Sequence, residues 1–293
     1  MEFKEYSNLL KGVSRSFYLS IRVLPNAMRL PISLGYMLAR ASDTLADTDG
    51  IAAEVKLEAL EAFRANNISL LNTLYQNHYK DKVADAKETA LLQQIGELVS
   101  YVSLLDEVLR DEVNLVVETI IAGQVEDIRR FDLENRCVSS EEELIHYCYQ
   151  VAGCVGEFWT RVGCITQEIF STCSPAVLEK MGREFGIGLQ LVNILRDRPS
   201  DLAQGRDYFP EKLSLSELQK SAWMDRAFQA MQTGLDYADS LKKKSSRLAV
   251  YLPAAIGEET LKKLSHASEA HWNSGVKVSR ALVYREILAG LLR

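Results

Sequence analysis

At 293 residues, with 47% hydrophobic and 25% charged side chains, the chain has the composition of a soluble globular protein and the length for a sizeable core, which excludes a disordered or fibrous class. A formal net charge of -6 and a pI near 5.4 exclude a generally basic nucleic-acid surface, so any anionic ligand must be held by local groups. No run of about 18 uncharged apolar residues occurs, and MEFKEYSNLLKG lacks the apolar core of a signal peptide, so a cytoplasmic protein is expected. Apolar residues recur at helical spacing, as in Leu57, Leu60 and Phe63 and then Leu70, Leu71 and Leu74, while strand signals are almost absent. The pattern predicts helices over about 30–48, 52–77, 85–105, 107–131, 140–170, 175–197, 221–249 and 258–292.

Ser139 and Ser140 ahead of Glu141 to Glu143 read as an N-cap with an acidic first turn, and Ser174 before Pro175 reads the same way. Gly50 and Gly205 mark breaks. Without a Pro/Gly/Ser-rich linker, a repeat or a low-complexity segment, one all-α domain over 1–293 is expected. The five cysteines are an odd set with no Cys-x-x-Cys spacing, which argues against a disulfide framework or a zinc site. They read as reduced and structural. His78, His146, His266 and His271 are scattered without metal spacing and read as surface or capping residues.

Chemistry concentrates in two stretches. In ARASDTLADT, residues 39–48, Asp43 and Asp47 lie four apart in an otherwise apolar helix, so both project from one face about 5 to 6 Å apart at Cβ. Paired carboxylates repel unless a cation sits between them, and Mg²⁺ suits such a site because it takes hard oxygen ligands and completes its shell with water and phosphate. A second copy of the spacing occurs in QLVNILRDRPSDLAQGRDYFP, residues 190–210, where Asn193, Asp197 and Asp201 follow at i, i+4 steps beside Gln190 and Arg196. Two facing helices with paired acids can hold a diphosphate through bridging Mg²⁺ in a helix bundle. The same spacing also fits two interhelical ion-pair networks with Arg40 and Arg196 as partners.

SRSFYLS (14–20), LGYMLARASDTLADT (34–48), YCYQVAGCVGEF (147–158) and LQLVNILRDRPSDLAQGRDYFP (189–210) together resemble the squalene/phytoene synthase family, in its order and spacing. The resemblance implies an all-α isoprenoid-synthase helical bundle around a central cavity and head-to-head condensation of two prenyl diphosphates. It implies Mg²⁺ at Asp43, Asp47, Asp197 and Asp201, with Arg15, Arg40 and Arg196 on diphosphate oxygens. Ser14, Ser16, Phe17, Gln190 and Asn193 then fall among substrate-binding residues, and Tyr36, Tyr147 and Tyr149 among catalytic ones. Within the family the first motif resembles the squalene synthase form: two farnesyl diphosphates join through presqualene diphosphate, followed by reduction with NADPH. SGVKVSRALV (274–283) resembles the segment that binds NADPH, with Lys277 at a family lysine; Ser279 stands where the family has arginine, and Arg280 is one step displaced. The alternatives are a dehydrosqualene or phytoene synthase, which omits the reduction, and an idle scaffold homologue.

Three departures qualify the match. Ala46 and Ser200 stand where squalene synthases often carry glutamates, which implies weaker Mg²⁺ affinity. Gln150 stands where relatives have a further tyrosine. Pro199 lacks an N–H and crowds the Leu195 carbonyl, so the helix is expected to kink or end there, leaving Asp201 the least certain ligand. A eukaryotic-type hydrophobic anchor is not expected after the VKVSR segment; the basic run LKKKSSR (241–247) suits a solvated helix end or peripheral membrane contact for an apolar product.

Overall fold

The computed structural model describes residues 7–14 and 17–292. Among these the structure is helical, with no strand and one isolated bridge between Ser171 and Leu241. Contacts group the chain into two compact units, Met1–Asn135 and Arg136–Arg293.

The first unit holds α1 (Ser7–Val13), α2 (Phe17–Arg22), α3 (Asn26–Asp47), α4 (Ala53–Arg64), α5 (Ile68–Leu74), α6 (Ala86–Gln93), α7 (Ile95–Val102) and α8 (Glu107–Ile128). Its axis is α3, whose buried Leu34, Met37, Leu38, Ala41 and Leu45 follow a helical period and which packs against α8, where Val113, Val117 and Ile121 are buried. Each of these side chains larger than alanine contributes about 1.5 to 3 kcal/mol on burial. Tyr79 donates its hydroxyl to the Leu45 carbonyl at 3.0 Å, tying the end of α3 to the turn after α5. α3 therefore presents its polar face from a rigid support. The helix expected over 52–77 is interrupted where Asn66 takes a positive φ of 55° and Asn67 caps α5, and that over 85–105 is broken at Gln94.

The second unit holds α9 (Glu141–Cys148), a π-helical turn (Tyr149–Gly153), α10 (Cys154–Thr166), α11 (Pro175–Ala203), α12 (Leu215–Gln219), α13 (Ala222–Ser240), α14 (Lys244–Ser265), α15 (Glu269–Asn273) and α16 (Arg280–Leu292). Ser140 caps α9 by accepting from the Glu143 N–H, and Pro175 opens α11 as its sequence suggests. Packing centres on α11, which lies against α10, α13 and α14. Gly156 and Gly182 let α10 and α11 approach until a Cβ at 156 would fall 1.9 Å from the Gly182 carbonyl oxygen. Glycine costs about 1 kcal/mol relative to alanine in a helix, and close packing is what it permits here.

Three expectations are corrected. The helix carrying the second aspartate motif does not end at Pro199 but runs on to Ala203. The expected 221–249 helix is two helices parted at Leu241–Lys243, and α14 continues through Pro253. The expected 258–292 helix is the end of α14 followed by α15, a turn with Gly275 at φ 87°, and α16. Cysteines are all free, with Cys148 and Cys154 buried, and the four histidines are exposed.

Candidate active site

On α3, Tyr36, Arg40, Asp43 and Asp47 share one side of the helix, at seven, three and four-residue intervals around Asp43. The Gln124 amide, from α8, donates to Asp43 Oδ1 at 2.6 Å. Arg40 lies 3.8 Å from Asp43 Oδ2 and also donates to Glu88 of α6. The Tyr36 hydroxyl donates to the Val13 carbonyl at 3.4 Å, beside the buried Ser14, whose own hydroxyl bonds to Leu10. Asp47 is exposed at the helix end. Loss of solvent and then repulsion by Asp47 push Asp43 up to about 7, against the pull of Arg40 and Gln124.

On α11, Gln190, Asn193, Asp197 and Asp201 form one half-buried row, and Asn193 donates to Gln190 at 3.4 Å. Arg196 holds Asp197 through both ends of its fork, with Nε at 2.8 Å. Asp201 is half-buried, and desolvation followed by repulsion from Asp197 pushes it up to about 6, against Arg206 and Arg196. The helix runs on past Pro199 to Ala203, and the Arg196 carbonyl accepts from Trp272 Nε1 at 3.2 Å. That bond fastens α15 to the second motif, and Lys277 follows five residues later.

Tyr147 is buried and stacks on Tyr208 at 5.1 Å, whereas Tyr149 donates to Glu157 at 3.2 Å with Arg183 over its ring. The Gln150 side chain is buried. Lys277 and Arg280 are exposed; Lys263 donates to the Lys277 carbonyl, and Ser279 caps the first turn of α16. Arg15, Ser16 and the Phe17 side chain lie outside the described residues.

Residue spacing alone did not single out Glu88, Gln124, Arg206, Tyr208 or Trp272. Gln124 had one signal, a lone amide inside the apolar run IIAGQV. Arginine partners are present in both motifs, but they leave Asp43 and Asp201 raised rather than lowered. Such carboxylates suit a divalent cation. Among the described residues no group of three or more His, Cys, Asp or Glu side chains is placed to hold a metal ion by itself. Mg²⁺ needs none, because it binds through one or two carboxylates plus phosphate and water. The donors fit it.

A carboxyl whose folded pKa lies above its ordinary 3.8 stabilises the fold below that value and loses the contribution as pH rises through about 6 for Asp201 and about 7 for Asp43. Asp43→Asn, which removes this titration, should melt above the parent at pH 8 without divalent ions, the gap narrowing as pH falls below about 7 and closing only near pH 4. MgCl₂ should close it at pH 8 by raising the parent alone. A variant melting below the parent at pH 8 contradicts the assignment.

A model of the squalene/phytoene synthase family matches residues 10–281. The squalene synthase of Saccharomyces cerevisiae is 28% identical over 205 residues, 70% of this chain and 45% of that protein. A phytoene synthase of Mycobacterium tuberculosis is 29% identical over 203 residues, 69% of this chain and 55% of its own. The chain spans about half the length of the curated relatives it matches. Among solved structures, TcSQS with the ligand E5700 superposes with a TM-score of 0.76 at 21% identity, covering 98% of this chain and 85% of that one. A dehydrosqualene synthase with a bound ligand gives 0.65 at 21%, covering 98% and 94%. The fold is theirs, and with the family match running through both aspartate motifs, the chain belongs to the squalene/phytoene synthase family.

Proposed function

We propose that the chain is a prenyltransferase that joins two farnesyl diphosphates head to head through presqualene diphosphate and reduces the product to squalene with NADPH. The observation that carries the reading is the pair of acid motifs on α3 and α11, each with a carboxyl raised by its neighbour and each with an arginine beside it. Bound Mg²⁺ would be held by Asp43, Asp47, Asp197 and Asp201 and would supply Lewis-acid neutralisation of the departing diphosphate.

The chain's own groups then have separable tasks. Arg40 and Arg196 offer planar forks of donors to diphosphate oxygens, exchanging partners now supplied by Glu88 and Asp197. Gln190 and Asn193 extend the α11 row as neutral hydrogen-bonding groups, and Ser14 and Tyr36 do so beside α3. The Tyr147 ring suits a carbocation by its face. The Tyr149 hydroxyl has a carboxylate acceptor in Glu157, so proton transfer is assigned to it. Arg15, Ser16 and Phe17 retain the substrate contacts that the resemblance implies.

Lys277 and Arg280 would take the phosphate groups of NADPH: both are exposed, Lys277 just before α16 and Arg280 at its start, and Trp272 anchors the preceding helix to the second motif. Ser279 in place of the family arginine favours the unreduced alternative, a dehydrosqualene or phytoene synthase. The exposed Lys242 to Lys244 suit peripheral contact with an anionic membrane that receives the apolar product. Among the described residues no helix is long and apolar enough to cross a membrane.

Incubation with labelled farnesyl diphosphate and Mg²⁺, with and without NADPH, tests the reading. A reduced C30 hydrocarbon formed only with NADPH is expected. One unreduced product in both reactions would move the assignment to the alternative. Absence of diphosphate release from any prenyl diphosphate would leave an idle scaffold homologue.

A further inference from the structure

Gln124 lies on the α8 face that packs against α3, in a stretch otherwise made of buried aliphatic residues and glycine. It is 7% exposed, and its amide nitrogen reaches Asp43 Oδ1 at 2.6 Å. The amide oxygen is buried with no hydrogen-bond partner among the described residues. Leaving a buried acceptor unpaired is unfavourable, and the opposite amide orientation would set two oxygens against each other, so the charge of Asp43 decides which end faces it. Aliphatic side chains would fill the same space without that penalty. The side chain is thus better suited to Asp43 than to its own surroundings.

The bond also divides the carboxylate. Oδ1 is engaged from the α8 side, while Oδ2 points to Arg40 at 3.8 Å, beyond hydrogen-bond length. With one oxygen anchored the carboxylate plane cannot turn freely, and the second oxygen keeps a fixed aspect toward an incoming cation. Groups behind a metal ligand govern affinity in this way, typically by 10- to 100-fold.

We propose that Gln124 is a positioning residue of the first aspartate motif: by holding Asp43 Oδ1 it presents Oδ2 to the divalent cation that accompanies the diphosphate. The proposal rests on the reading of Asp43 as a cation ligand, and the experiment separates the two. Mn²⁺ binding is measured by electron paramagnetic resonance on the full chain with inorganic pyrophosphate, for the parent, Asp43→Asn, Gln124→Met and Ile121→Ala.

Met keeps the volume and removes the donor, while Ile121→Ala opens a cavity on the same helix without removing a polar group. Gln124→Met should weaken Mn²⁺ binding about tenfold with little change in melting temperature, whereas Ile121→Ala should lower the melting temperature and leave Mn²⁺ affinity as in the parent. Parent-like affinity in Gln124→Met, with Asp43→Asn impaired, overturns the role of Gln124 and leaves the ligand reading standing. Equal weakening in Ile121→Ala also overturns it, since general loosening of α8 would then suffice. Parent-like affinity in Asp43→Asn removes both. Gln124→Glu discriminates further: its carboxylate repels Asp43, so weaker binding is expected, and tighter binding would mean that the position supplies a ligand oxygen instead of a donor.

Discussion

Asp43→Ala and Asp197→Ala should each lower kcat/KM for the proposed substrate, farnesyl diphosphate, by about 10³-fold, roughly 4 kcal/mol of transition-state stabilisation. Diphosphate release at saturating Mg²⁺ is the readout. Asp43 is held up near 7 by burial and Asp47, so its removal relieves repulsion, and the variant should melt no lower than the parent. Loss of turnover in a well-folded variant separates a ligand from a structural ion pair. Retained turnover in either variant would return that motif to the ion-pair reading.

Arg40→Lys and Arg196→Lys form the second case, with an expected loss of about 10²-fold each, near 3 kcal/mol. Lysine keeps the charge but not the fork. The fork matters because Arg40 now serves Glu88 and Asp43 together, and Arg196 grips Asp197 with two donors. Steady-state kinetics should show the loss mainly in kcat, since diphosphate charge develops as the carbon–oxygen bond breaks. An unchanged kcat with raised KM would make these arginines anchors of the ground state only.

The elements that carry the motifs were legible because local and tertiary preferences agree there. The α3 period, the Ser140 cap and Pro175 at the start of α11 all lie where the residues place them. The break between α13 and α14 was not legible, because Leu241 to Lys243 contain neither glycine nor proline and the apolar spacing continues across them. Chain pairing at a distance makes that break: the Lys242 N–H donates to the Phe170 carbonyl and the Thr172 N–H to the Ser240 carbonyl. Pro199 misled in the opposite sense. Proline removes one helical bond, but α11 is held along its length by α10, α13 and α14, and Trp272 bonds the Arg196 carbonyl near the proline. Packing overrides the local preference.

Within the candidate site, residue spacing groups the acids and arginines because a helix fixes which side chains share a face. Their supporting groups come from other helices, Gln124 and Glu88 around α3 and Trp272 behind α11, at sequence separations where spacing carries no information. Tyr147 and Tyr149 show the same limit. They are two residues apart, yet the π-helical turn beginning at Tyr149 and the partners Tyr208 and Glu157 give them different surroundings.

Titration of inorganic pyrophosphate into the parent, Asp43→Ala and Asp197→Ala by calorimetry, with MgCl₂ or with EDTA, tests most directly whether both acid motifs bind diphosphate through a divalent cation. Binding by the parent only when Mg²⁺ is present, and at least tenfold weaker binding in each variant, is the expected result. Equal binding in EDTA, or parent-like affinity in both variants, would contradict it.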